Sequence, residues 1–88
     1  MAQVLRTSEV AVPGMTARRV ALAAGAAVEH AAGGGEAMVY VIGGAGVARL
    51  PDGEHPLAAE SVVWLTGGDA ATLEAGAAGL ELLLAASL

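Results

Sequence analysis

The chain has 88 residues, no cysteine, nine acidic residues against four arginines, and a net charge of −5. That length holds one domain and leaves no room for a second; the missing thiols exclude disulfides and thiolate zinc sites. The acidic balance, with no basic stripe, works against binding nucleic acid.

A domain this small buries only about 60% of the surface its unfolded chain exposes, so efficient packing, oligomerisation or both must supply its stability. The apolar fraction is 56%, largely Ala, Val and Leu with no Phe. The core is therefore expected to be built from many small contacts. The Ala and Gly bias is also what a GC-rich bacterial genome would give. Arg6 and Glu9 interrupt the N-terminal apolar residues, so no secretory leader is expected. Asp69, Glu74 and Glu81 break up the apolar C-terminal third below the roughly 18 uncharged residues of a membrane span. The expected location is cytoplasmic.

In chain order, Val10–Val12 ends at the turn pair Pro13-Gly14, and Ala17–Leu22 stops near Gly25. Ala26–His30 leads into Gly33-Gly34-Gly35, which predicts a loop rather than a regular element. Met38-Val39-Tyr40-Val41-Ile42, β-branched and aromatic, is the strongest strand signal. Gly43, Gly44 and Gly46 are expected to close it, and Val47–Leu50 then runs to the hairpin turn Pro51-Asp52-Gly53. His55–Leu57, Ser61–Leu65, Ala71–Glu74 and Leu80–Ala85 complete the set. Short strands at this spacing predict an all-β sandwich or closed antiparallel barrel. A helical alternative exists at Ala21–Ala32 and Glu74–Leu88, where Gly25, Gly76 and Gly79 would each cost about 1 kcal/mol.

In the last strand, Leu80, Leu82 and Leu84 alternate with Glu81, Leu83 and Ala85, so both faces are mainly apolar. A strand with one face in water should alternate polar and apolar. A second sheet or a second subunit is therefore expected to cover it, and a homodimer follows as an expectation.

Glu36-Ala37-Met38-Val39-Tyr40-Val41-Ile42-Gly43-Gly44-Ala45-Gly46 resembles the first motif of the cupin superfamily. Leu57-Ala58-Ala59-Glu60-Ser61, the apolar run to Leu65 and Thr66-Gly67-Gly68-Asp69 resemble the second, which usually reads Leu-x-Ala-Gly-Asp, a strand and Pro-x-Gly before a histidine. The likeness covers about residues 17 to 85. It implies one small cupin-type antiparallel β-barrel, or jelly roll, over residues 1–88.

Cupins generally hold a divalent metal with two histidines and a glutamate from the first motif and one histidine from the second. In this register His30 matches the first histidine and Ala32 the second. The glutamate falls on Glu36 or Ala37, depending on the register, and the last histidine on Ala71 or Ala70. A catalytic metal site normally uses at least three protein ligands. No metal and no cofactor are therefore expected, and metal-dependent oxygenase or isomerase chemistry is only a third alternative.

Two functions then stand open. One is a metal-independent binder of a small apolar organic molecule in the barrel, with a catalytic version as an isomerase or cyclase of natural-product metabolism. The other is a non-catalytic structural or interaction module with a lumen filled by its own side chains. Whether the chain is an enzyme stays open at this point.

Histidine's unperturbed pKa lies near neutrality, which makes His30 a candidate acid or base, or else a remnant bonded to water at the barrel mouth. Glu36 is a candidate proton-transfer carboxylate if it faces the lumen and a solvated residue if it does not; one step of register decides. Of Arg18 and Arg19 one should point inward, and Arg19 is the candidate for an anionic ligand, with a rim ion pair as the plainer alternative. Tyr40 and Trp64, the only aromatics, are candidates for lining a ligand pocket, or for packing in the core or a dimer interface. His55 lies just after the hairpin, where the family has no ligand.

Overall fold

The computed structural model describes residues 4–12, 14–33 and 35–87. They form seven strands and, among the described residues, no helix. The strands are β1 (Val4–Val12), β2 (Met15–Leu22), β3 (Ala27–Ala31), β4 (Glu36–Leu50), β5 (Gly53–Ala58), β6 (Val62–Thr66) and β7 (Ala70–Ser87). Every pairing is antiparallel. In the segments open to a helical reading, residues 27–31 and 74–87 are strand and residues 24–25 form a turn; Pro13 and Gly34, in two expected turns, and Leu88 lie outside the described residues.

The main difference from the sequence reading is that four expected strands are two. Met38–Ile42 and Val47–Leu50 are halves of β4, and Ala71–Glu74 and Leu80–Ala85 are halves of β7. The intervening glycines bend the strands instead of ending them. The β4–β7 ladder slips between Val41 and Gly43 and again between Gly44 and Gly46, as bulges do when a strand turns a corner. Gly44 has φ +86°, and a Cβ there would overlap the carbonyl oxygen of Gly79. The two long strands cross so closely at this corner that only glycine fits.

Because β4 and β7 each run through a corner, they build two facing layers. The first half of β4 pairs with β6 and with the second half of β7, which continues to β2 and β1. The second half of β4 pairs with β5 and with the first half of β7, which carries β3. Val20, Leu22, Val39, Val41, Leu65, Leu82 and Leu84 from one layer meet Ala48, Leu57, Leu73 and Ala75 from the other in one cluster. Among the described residues no polar or charged side chain is fully buried.

Glu60, in the short connection from β5 to β6, has φ +72°. It stands where the second cupin motif has its glycine. Its amide donates to the Val41 carbonyl at 2.8 Å, and Ser61 N–H donates to Ala58 at 3.0 Å, so the turn is held from both sides.

Candidate functional site

The inner face at the β3 end is where the metal-ligand positions of the motif converge. His30 shares a phase on β3 with Val28, which packs against the core. His30 pairs directly with Ala71 of β7. Ala32, Ala37 and Ala71 are buried at 5%, 2% and 1% exposure, whereas Glu36 and Ala70 are exposed. This fixes the register: the inward residue of the Glu36/Ala37 pair is Ala37, and that of the Ala70/Ala71 pair is Ala71. Three of the four positions therefore present a methyl group.

One nitrogen donor remains. His30 Nε2 lies 2.9 Å from the carbonyl oxygen of Ala85. A carbonyl can only accept, so the contact needs the proton on Nε2 and leaves the ring's lone pair on Nδ1, a single donor where a catalytic metal normally takes at least three protein ligands. Among the described residues no group of three His, Asp or Glu side chains converges as a metal site. The residues present do not fit the cupin metal.

Nor is the lumen an open pocket where its walls are described. Leu22, Leu65, Leu73, Leu82 and Leu84 are each under 2% exposed. A side chain that a water-sized sphere cannot touch has no void of that size beside it. Leucines on the inner phases of β2, β6 and β7 fill the lumen there, as the second of the two readings open from the sequence expects.

The other candidate residues lie on the outside. Glu36 is solvent-exposed, with its amide accepted by Ser87 Oγ at 3.0 Å, so it is not brought to His30. Arg19 is not a lumen residue either: it is exposed and forms an ion pair with Glu81. Arg18, not Arg19, shares the phase of Val20 and Leu22. Tyr40 and Trp64 alternate with the buried Val39, Val41 and Leu65, which puts both on the outer face.

A cleft of about 510 Å³ opens where the edges of β5 and β6 part. Leu50, Leu57 and Val63 make its apolar floor, with His55, Asp52 and Ser61 as polar groups and Trp64 at its rim. His55 Nε2 donates to Asp52 Oδ1 at 3.0 Å, and this bond holds the Asp52 carboxyl below its usual range. Ser61 Oγ accepts from the Ala58 amide at 3.1 Å. Arg49 points elsewhere, bound to Glu54 and Glu74 at 2.8 Å each. Trp64 was among the sequence candidates, whereas Asp52 and Ser61 were not. The available signal was the three-residue spacing from the turn aspartate Asp52 to His55.

This combination defines an all-β jelly roll of cupin type with a side cleft and without the donor set of a cupin metal centre. Comparison with solved structures supports the fold. A cupin superfamily protein from Desulfitobacterium hafniense DCB-2 superposes with a TM-score of 0.83 over 98% of this chain and 78% of its own, at 19% identity. The salicylate 1,2-dioxygenase of Pseudaminobacter salicylatoxidans matches with a TM-score of 0.76 over 90% of this chain and 25% of its own, at 15% identity. The Cupin_2 domain of an XRE family transcriptional regulator from Enterobacter cloacae matches with a TM-score of 0.75 over 94% and 95%, at 16% identity. No protein-family model matches the chain, and no curated protein is significantly similar in sequence. The shared fold thus serves an enzyme and a regulator alike, and function has to be argued from the site.

Proposed function

We propose that this chain is a metal-independent cupin-fold binding protein that takes a small apolar organic molecule in the cleft between β5 and β6. The observation that supports the reading is the pairing of a buried, alanine-lined ligand end with an open cleft of about 510 Å³, in which Leu50, Leu57 and Val63 are joined by at least as much polar surface. Polar groups such as Asp52, His55 and Ser61 are of the kind that fix a ligand's orientation. His55, steadied by Asp52, is the group in the cleft suited to move a proton in a catalytic version. An isomerase or cyclase would use the cleft to hold one reactive conformer.

Nuclear magnetic resonance with a library of uncharged aromatic and alicyclic fragments tests this reading. Amide shifts should cluster at Leu50, Leu57, Val63 and Trp64 and leave His30 and Ala71 unmoved. Shifts centred on His30, or none with any fragment, would overturn it. The second reading, a non-catalytic interaction module, draws on the leucine-filled lumen and on the exposed Trp64 and Val62.

A further inference from the structure

Beside the β5–β6 cleft lies a smaller hollow of about 230 Å³, walled by Leu50, Pro51, Asp52, Trp64 and Asp69. It shares Leu50, Asp52 and Trp64 with the cleft, so one molecule can reach into both. Three parts of the fold meet there. The β4–β5 hairpin supplies Leu50 to Asp52, β6 supplies Trp64, and Asp69 stands just before β7.

The walls combine an aromatic ring with two carboxylates. Asp52 Oδ1 accepts from His55 at 3.0 Å, and that bond holds its carboxyl below the usual range, so it is ionised at neutral pH. Asp69 Oδ2 accepts the Thr66 amide at 3.4 Å, and among the described residues no cation pairs with it. Arg49 is taken up by Glu54 and Glu74. The other three arginines belong to β1 and β2, at the far side of the sheet from β6. Trp64, 64% exposed, leaves its ring open to a ligand.

We infer that this hollow is a subsite for an organic ammonium group, so that the ligand of the cleft carries a positive head on an apolar body. The inference rests on the β5–β6 cleft being the binding site. The body lies over Leu57 and Val63, and the head sits against Trp64 within reach of Asp52 and Asp69. Charge and ring select this occupant together. An indole face attracts a cation through its quadrupole more strongly than any other side chain, and alkylammonium groups keep little hydration to lose. An anionic head would meet two carboxylates instead, in a chain of net charge −5. A metal ion is a poorer fit, because among the described residues no third carboxylate or imidazole joins a pair into a ligand set.

The chain has one tryptophan, so its fluorescence reports the subsite directly. Choline and its uncharged carbon isostere, dimethylbutanol, would be titrated into the full-length, untagged protein, with amide resonances followed in parallel. Choline should perturb Trp64 and bind at least about fivefold more tightly than the alcohol. Asp69→Asn and, separately, Asp52→Asn should each weaken choline about threefold or more and leave the alcohol unchanged. Glu29→Gln, which removes an exposed charge on β3, should leave both affinities as they were. Circular dichroism would confirm that each variant folds. Equal affinity for choline and the alcohol would overturn the inference and leave the cleft reading standing. So would a loss in Glu29→Gln as large as that in Asp69→Asn. Choline shifts confined to Asp52, Trp64 and Asp69, with no uncharged fragment moving Leu57 or Val63, would uphold the ammonium subsite and sink the cleft reading instead.

Discussion

His30 and Ala71 are direct partners across the β3–β7 ladder, one imidazole beside one methyl group on the inner face. A metal-holding cupin would place two imidazoles at these motif positions. Here the lone ring donates to the Ala85 carbonyl, and the chain closes over the alanine until 1% of it is exposed. These positions are thus part of the packed core, and that has measurable consequences.

Adding bulk at Ala71 should be resisted. With no water-sized space beside it, Ala71→Leu should cost about 1–3 kcal/mol through displaced neighbours. Urea denaturation would measure it, and an unchanged midpoint would mean an unfilled space next to His30.

The opposite change in the lumen should cost more. Leu82 lies at the centre of the core with 0% exposure, so Leu82→Ala should lose about 3–5 kcal/mol through transfer and cavity terms. Thermal unfolding is the readout. A loss under about 1 kcal/mol would contradict a leucine-packed lumen.

Glu60 carries a conformation that glycine holds at less cost. At φ +72° its Cβ crowds the backbone, a penalty of about 1–2 kcal/mol for an L-residue, partly offset because glycine gains more freedom in the unfolded chain. Glu60→Gly should therefore stabilise the fold by about 0.5–1 kcal/mol. A loss of stability by denaturant titration would count against the strained turn.

The Asp52–His55 pair predicts a pH response. Its hydrogen bond lowers the Asp52 pKa on folding. The associated contribution to stability is present above about pH 4 and is lost as pH falls through the depressed value. Both groups are exposed, so the effect should shrink with salt. Carboxyl carbon resonances should show the Asp52 midpoint moving up in His55→Ala; an unmoved midpoint would mean the pair does not persist in solution.

The architecture was legible because strand alternation and turn residues repeat along most of the chain. Met38–Ile42 and the Pro51-Asp52-Gly53 hairpin hold as read, with Leu50 pairing directly with Gly53. Gly43–Gly46 and Gly76–Gly79 were harder, because a glycine run that ends a strand and one that bends it look alike until the crossing at Gly44 and Gly79 is seen. The Glu36/Ala37 choice was one step of register, which composition does not decide and burial does. The inner volume was left open between a ligand-holding barrel and a lumen filled by its own side chains, because alanine content does not show which leucines turn inward. The β5–β6 cleft was missed because its walls come from strands that meet only through β4.

The central proposal, that this cupin-type fold works without a metal because three of the four motif positions are buried alanines, is tested most directly by elemental analysis. Untagged protein would be incubated with iron, nickel, manganese and zinc, desalted, and compared with His30→Ala. The account predicts no stoichiometric metal in either protein. One equivalent of metal in the unsubstituted chain that disappears in His30→Ala would contradict it.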